Sequence, residues 1–305
     1  MYQSLLIIGG SYFAGRVLVE EMLRTGDYDL YVLNRGTRPL NLDGVVELRA
    51  DRHDPKALER VIPDEKWAGV IDFCGHGPQD VETILSALTH RSIDHYIFIS
   101  TSGVYQENLA LPLVETSPLL GNPPATTESV ATDNFDKCQA EKSVKQICRT
   151  ADIAWTILRP AMIYGRYNYT PRERYFFELL QKNKPLPVPQ NNLALFQFVL
   201  VDDLARVIRY CLKDEFSRDT IFNVAAPEMI SYARFVEVLE EITGRSVPVR
   251  SISLQEVGDP NLRLPFPLDR HHIISSERLI RALSFEYTGF AEGLRQTWQW
   301  FNDRP

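Results

Sequence analysis

The sequence contains little cysteine. Only four of its 305 residues are cysteines, and no two of them form a Cys-x-x-Cys pair. Structural zinc sites need clustered ligands, and disulfide frameworks need many cysteines in a short chain. The sequence therefore predicts no metal site and no disulfide framework, and it favours a reducing compartment, the cytoplasm.

Long apolar segments are also missing, since no run approaches the roughly 20 residues that cross a bilayer as a helix. Near the N-terminus, Leu5-Leu6-Ile7-Ile8 is too short for the apolar core of a signal peptide and leads directly into two glycines. We therefore expect neither a membrane segment nor a signal peptide.

Positive charge is the third scarcity. Lysine and arginine total 33 against 40 aspartates and glutamates, which gives a net charge of −7. Proteins that bind nucleic acid through its phosphates usually carry the opposite balance. The sequence also holds no basic run, so a small molecule is the expected partner and nucleic acid is disfavoured.

Short apolar runs alternate with helical patterns in the first half, which predicts βαβ units and a parallel sheet. We expect an α/β fold, a doubly wound sheet of the Rossmann type with helices on both faces. The candidate strands are Ser4–Ile8, Asp29–Leu33, Val45–Arg49, Gly69–Phe73, His95–Ile99 and Ala154–Leu158. The candidate helices between them are Phe13–Thr25, Pro55–Ile62, Pro78–His90 and Asn134–Thr150.

After Leu158 the pattern changes, and Tyr164–Pro171 and Asn183–Asn192 have the composition of loops. We predict a Rossmann domain over residues 1–165 and a smaller substrate lobe mainly over 166–305. Residues of about 190–224 are expected to return to the Rossmann domain. Helical patterns cover Asp202–Leu212, Ser231–Thr243 with Ser231 as N-cap, Ser275–Leu283 and Phe290–Phe301.

The strongest local motif is a glycine turn between the first strand and the first helix. There, backbone N–H groups and the positive end of the helix dipole would face a pyrophosphate. Gly9 would make the tight turn and Gly15 would allow close packing of helix on strand. The alternative is that any strand–turn–helix corner favours glycine. The predicted cofactor residues here are Gly9, Gly10, Ser11, Tyr12, Phe13, Ala14 and Gly15.

Gly-Gly-x-x-Phe-x-Gly resembles this turn in the extended short-chain dehydrogenase/reductase superfamily, also called the NAD-dependent epimerase/dehydratase family. The family's usual turn is Gly-x-x-Gly-x-x-Gly, and Tyr12 stands at its middle glycine. Such replacements occur in the atypical branch that includes relatives of the chloroplast stem-loop RNA-binding proteins. The resemblance runs from residue 4 to about 301. It implies an NAD(P)-dependent epimerase, dehydratase or reductase for a small polar substrate such as a nucleotide sugar, with a homodimer as one assembly.

The end of the second strand bears on the choice of cofactor. Asn34 stands where an acidic residue would hold the ribose 2′-hydroxyl of NAD, and Arg35 could pair with a 2′-phosphate. The sequence thus favours NADP over NAD, the alternative being that Arg35 is a solvated loop residue. The resemblance also implies cofactor contacts farther along, at Asp51, Arg52, Cys74, Gly75, Ser100, Lys137 and Pro160.

Ser100-Thr101-Ser102 precedes Val104-Tyr105 and resembles the family's hydroxyl-rich turn after the fifth strand. The resemblance places Thr101 against the reacting oxygen of the substrate. The alternative is that these hydroxyls cap the strand end through bonds to the backbone, an interpretation that we favour for Ser102.

The family's remaining chemistry is a Tyr-x-x-x-Lys pair, in which the lysine lowers the tyrosine pKa for proton transfer. Lys137 keeps its place, with the ribose hydroxyls as its expected partners, but the tyrosine position holds Asp133. Asp133 could act directly as a base or could be the N-cap of the long helix, and we favour the cap because aspartate is much shorter than tyrosine.

One further departure concerns Phe196, which stands where sugar-nucleotide enzymes usually carry an arginine for the diphosphate. Three functions therefore stay open. The first is an enzyme of the epimerase/dehydratase or reductase kind, with Thr101, Asp133 and Lys137 as its catalytic candidates. The second is a non-catalytic NAD(P)-sensing protein, and the third is an RNA-binding protein.

Overall fold

A parallel sheet of seven strands runs through the centre of the computed structural model, which describes residues 3–88, 91–107, 110–124, 129–190, 193–257, 264–268 and 270–303. Its strand order is β3-β2-β1-β4-β5-β6-β10. The strands are β1 (Gln3–Ile8), β2 (Tyr28–Asn34), β3 (Val45–Arg49), β4 (Trp67–Asp72), β5 (His95–Ile99), β6 (Ala154–Pro160), β7 (Met162–Tyr164), β8 (Leu186–Pro189), β9 (Phe198–Leu200), β10 (Thr220–Val224) and β11 (Val249–Ile252).

Helices cover both faces of this sheet. They are α1 (Phe13–Thr25), α2 (Pro55–Val61), α3 (Pro78–Ala87), α4 (Ser129–Thr150), α5 (Glu173–Gln181), α6 (Val201–Lys213), α7 (Tyr232–Thr243), α8 (Leu254–Val257), α9 (Glu277–Leu283) and α10 (Phe290–Asn302). One apolar core joins α1, α6 and α9 to the sheet, and a second joins α2, α3 and α4 to its other face. The central strands are buried on both sides, which explains their continuous apolar sequences. The predicted Rossmann-type α/β fold is confirmed.

Three predictions about the strands and helices were wrong. The strand β10 was missed, although it extends the main sheet beside β6. The helix α4 begins at Ser129 rather than at Asn134, so Asp133 lies in its second turn. The predicted helix Pro78–His90 ends at Ala87 in the structure, and His90 lies outside the described residues.

A smaller lobe packs around a third, largely aromatic core. Two short parallel pairs, β7 with β9 and β8 with β11, lie beside α5, α7 and α10. Phe196 is fully buried there, with Phe198, Tyr232 and Phe266 around its ring. The residue at the expected arginine position is therefore part of the lobe's core. In the described part of the chain, no helix has the length and apolar character needed to cross a membrane.

Candidate functional site

The glycine turn after β1 needs glycine at two positions. Gly9 has φ +90°, and a Cβ placed there would lie 2.2 Å from Cys74 Sγ. A Cβ on Gly15 would lie 2.1 Å from the carbonyl oxygen of Gly9, so the first turn of α1 packs directly on the turn. No side chain caps the N-terminus of α1, which leaves backbone N–H groups for an anion.

Tyr12 occupies the middle glycine position without straining the backbone, because its φ of −145° is extended and open to any residue. The substitution therefore changes the side chain at the turn and not its path. The Tyr12 ring stacks on Tyr169 at 4.8 Å between centroids, and the Arg38 guanidinium carbon lies 4.1 Å from its centre. An arginine and a second tyrosine thus stand beside the turn.

Tyr169 belongs to the segment 165–170, which leads from β7 into the smaller lobe and crosses α1. Tyr167 donates a hydrogen bond of 2.9 Å from its hydroxyl to Glu20, and Arg166 forms an ion pair with the same carboxylate. The guanidinium carbon of Arg16 lies 4.9 Å from the Tyr167 ring centre. These contacts fasten the segment along the first helix.

A cleft of about 510 Å³ opens beside the glycine turn, at the carboxyl ends of the strands. This is the edge at which doubly wound sheets bind their ligands. The cleft brings together the following predicted cofactor residues: Gly9, Ser11, Tyr12, Asn34, Arg35, Asp51, Arg52 and Cys74. It also includes residues that the sequence did not single out as binding residues: Thr37, Arg38, His53, His76 and Asp80. The other predicted cofactor residues do not line it: Gly10, Phe13, Ala14, Gly15, Gly75, Ser100, Lys137 and Pro160.

Unneutralised hydrogen-bond donors mark one end of this cleft. Arg35 and Arg38 are exposed, and neither makes an ion pair or a hydrogen bond with the described residues. Asn34 is only 8% exposed, yet its Nδ2 has no hydrogen-bond partner in that part of the chain. A buried unpaired donor is costly, so a ligand acceptor is its natural complement. These residues fit a phosphate-bearing nucleotide.

Arg52 has a different environment from that of Arg35. It binds both oxygens of the buried Asp72 at 2.8 and 3.1 Å and donates to the carbonyl oxygen of Asp80 at 2.8 Å. Burial opposes ionisation of Asp72, but the attraction of Arg52 outweighs it and holds the pKa of that carboxyl below its usual value. Arg52 therefore braces the wall of the cleft with its charge already neutralised.

The hydroxyl turn after β5 separates three neighbouring side chains. Thr101 Oγ1 accepts a hydrogen bond of 3.1 Å from the N–H of Gly103, so it caps the short helical turn at 102–104. Ser100 donates to Glu141 at 2.6 Å, whereas Ser102 Oγ shares a hydrogen bond of 2.8 Å with His272 Nε2. The prediction that Ser102 caps the backbone was wrong, because its hydroxyl faces a histidine from the C-terminal half.

A buried polar network lies beneath this turn. Arg159 binds both carboxylate oxygens of Glu141, at 2.6 and 2.9 Å, and donates to the hydroxyl of Tyr105 at 3.0 Å. Tyr105 in turn donates to Asn223 on β10 at 2.6 Å. With Ser100 bound to Glu141, the network holds the turn at both of its ends. The sequence analysis assigned no role to Arg159 or Glu141, although Arg159 directly precedes the predicted Pro160 and Glu141 lies four residues after Lys137.

Lys137 and Asp133 do not form the pair that their spacing suggests. Lys137 donates from Nζ to the carbonyl oxygen of Ile99 at 2.7 Å and lies 4.8 Å from the centre of the Phe98 ring. Burial lowers its pKa to about 8. Asp133 is exposed and caps nothing, since α4 starts four residues earlier. The N-cap role that we favoured for Asp133 was therefore wrong.

The first two comparisons with known proteins concern sequence. The family model for the NAD dependent epimerase/dehydratase family matches residues 5–225. The chloroplast stem-loop binding protein of 41 kDa b from Arabidopsis thaliana is 25% identical over 299 residues, which cover 93% of this chain and 75% of that protein.

Solved structures agree on the fold. UDP-glucose 4-epimerase from Thermotoga maritima, solved with UDP-glucose, superposes with a TM-score of 0.80 at 19% identity and covers 98% of this chain and 99% of its own. The dTDP-glucose 4,6-dehydratase of Bacillus anthracis, in complex with NAD, gives a TM-score of 0.79 at 18% identity with coverages of 98% and 96%.

Proposed function

Because the chain belongs to the NAD dependent epimerase/dehydratase family, we propose that it binds NADP in the cleft beside the glycine turn. The observation that carries this proposal is the set of unpaired donors from Asn34, Arg35 and Arg38 at one end of that cleft. Arginine recognises phosphate through charge-assisted, often bidentate hydrogen bonds. A free ribose offers no charge to these guanidiniums, so NADP suits them better than NAD.

Calorimetric titration of the full chain with NADP and with NAD tests this choice. We expect NADP to bind at least about 10-fold tighter, since hydrogen bonds to charged groups contribute about 1.5–3 kcal/mol. R35A and R38A should each weaken NADP about 10-fold and leave NAD within about threefold. R24A serves as the control, because Arg24 is an exposed cation in the last turn of α1. Equal affinities for the two cofactors, unchanged in both variants, would overturn the NADP assignment.

The substrate that we propose is a small polar molecule of the nucleotide-sugar class. Nucleotide sugars appear in the names of the solved relatives, whose fold this chain shares. Phe196 cannot supply the usual diphosphate contact from within its aromatic core. A panel of UDP- and dTDP-sugars, followed for NADPH formation and for product, separates turnover from cofactor binding alone. Cofactor binding without turnover on this panel favours the sensing function.

Nucleic-acid binding is the second candidate, and the stem-loop binding relative is the observation that favours it. The net charge of −7 opposes nucleic-acid binding, because the affinity comes largely from basic residues that neutralise phosphates and release the counterions of the nucleic acid.

A further inference from the structure

The site needs a group that exchanges a proton with a substrate hydroxyl, and the family's phenol is absent from it. Lys137 donates a hydrogen bond to the carbonyl oxygen of Ile99 at the end of β5, and Glu141 is neutralised by Arg159. Tyr105 is buried and bound to Arg159 and Asn223, and burial raises the pKa of its phenol. Asp133 lies in solvent on α4. None of these groups is placed as the missing tyrosine would be.

His272 differs from them in position and in partner. Its backbone N–H donates to the carbonyl oxygen of Leu195 at 2.8 Å, which fixes its segment against the residues that precede β9. Its ring is half-buried, and Nε2 lies 2.8 Å from Ser102 Oγ. Ser102 follows Thr101 directly in the chain. A histidine and a hydroxyl thus meet directly after β5, at the carboxyl edge of the sheet, where doubly wound folds bind their ligands.

We propose that Ser102 and His272 form the acid–base pair of this site and replace the missing tyrosine. This inference rests on the proposed function. In the forward direction the neutral imidazole takes the proton of the substrate hydroxyl at Nε2, either directly or through the Ser102 hydroxyl. In the relay form, Ser102 gives its proton to Nε2 and receives the substrate proton. In the reverse step the imidazolium returns that proton to the substrate oxygen, so the protein ends in its starting protonation state.

The ionisation of His272 suits a base near neutral pH. Burial, followed by the positive charge of Arg270, lowers its pKa below the usual 6.5. Among the described residues, Arg270 is the charged group that acts on His272, Glu107 is the ion-pair partner of Arg270, and His271 is the neighbouring titratable residue. The ring is therefore neutral at pH 7 and can accept a proton. With the proton on Nδ1, the neutral ring accepts a hydrogen bond from Ser102.

The first experiment needs no substrate. Histidine ¹⁵N signals of the full-length chain, titrated from pH 5 to about 8, give the pKa and the tautomer of each ring. We expect His272 to titrate below 6.5 as the Nδ1–H tautomer. S102A should raise this pKa, because it removes a bond that the neutral ring accepts. A His272 pKa that S102A leaves unchanged would overturn the pair.

The second experiment uses the nucleotide-sugar panel with NADP. H272Q should lower kcat at least about 100-fold, the usual contribution of general acid–base catalysis, while KM changes little. H271Q is the matched control and should retain kcat, since His271 is exposed and, among the described residues, its ring accepts a hydrogen bond from the N–H of Leu195. The acidic limb of wild-type kcat/KM should fall at the pKa measured for His272.

Four outcomes separate this inference from the proposed function. A full-rate H272Q with normal NADP binding overturns the pair and leaves the proposed function standing. Loss of turnover in D133N alone, with H272Q active, overturns the pair in favour of Asp133. A wild-type chain that binds NADP and turns over nothing on the panel overturns both the pair and the catalytic part of the proposed function. Absence of dinucleotide binding overturns the proposed function itself.

Discussion

Asp133 illustrates how the role of a residue depends on where its helix begins. An aspartate in front of a helix accepts its free N–H groups, but one turn farther along it faces neighbours that are already bonded. Asp133 lies at this second kind of position, because α4 begins four residues before it. Asp54 shows the first kind, since its carboxylate accepts from the N–H of Ala57 at 3.0 Å.

We expect D133A to change the free energy of unfolding by less than about 0.5 kcal/mol, as exposed substitutions usually do. D54A is the matched control and should cost about 1 kcal/mol, because it removes a true N-cap. Urea denaturation followed by circular dichroism measures both. A loss in D133A as large as that in D54A would restore the capping role.

Site residues were only partly predictable for the same reason. The glycine turn, Asn34 and Arg35 could be proposed from sequence because their positions depend on local sequence, and Gly9, Asn34 and Arg35 line one cleft. The contact between Ser102 and His272 joins residues that are 170 positions apart, and no local pattern encodes it. Arg38 was not selected from sequence, because its position over the ring of Tyr12 is a tertiary contact.

At the scale of elements, α4 and β6 are joined by a buried ion pair. The side chains of Glu141 and Arg159 are 0% and 1% exposed, so each compensates a buried charge on the other. Their bond to Ser100 and Tyr105 ties helix, strand and turn into one unit. The helix α4 is long and only weakly amphipathic, and for this reason its start was placed too late from sequence alone.

E141Q should therefore destabilise the fold by about 3–5 kcal/mol, because it leaves the Arg159 charge buried without its partner. E178Q is the control, since Glu178 pairs with Arg174 on the exposed face of α5 and such pairs contribute about 0.3–0.5 kcal/mol. The midpoints of urea denaturation report the difference. Equal shifts of the urea midpoint in the two variants would contradict the prediction, since the buried pair would then contribute no more to stability than the exposed one.

For the whole molecule, the alternation of strands and helices was enough to predict six of the seven strands of the sheet, since the central strands are buried on both faces and keep apolar sequences. The seventh strand, β10, was missed; it comprises the five residues Thr220–Val224 in the half of the chain where no further strand of this sheet was expected. Its place beside β6 is decided by tertiary packing, which a single sequence does not display.

The overall charge carries its own prediction. At physiological salt we expect binding of stem-loop RNA to be no tighter than micromolar, since a chain of charge −7 releases few counterions. Filter binding at several salt concentrations measures both the affinity and its salt slope. Nanomolar affinity with a steep slope would contradict this expectation and support the stem-loop function, and NADP as competitor would show whether the two ligands share the cleft.

The stack of Tyr12 on Tyr169 has a thermodynamic consequence. One wall of the dinucleotide turn comes from the start of the chain and the other from the segment that enters the smaller lobe. The two halves of the chain therefore meet at this turn, and we expect a ligand that orders the Tyr12 ring also to stabilise the contact with the smaller lobe.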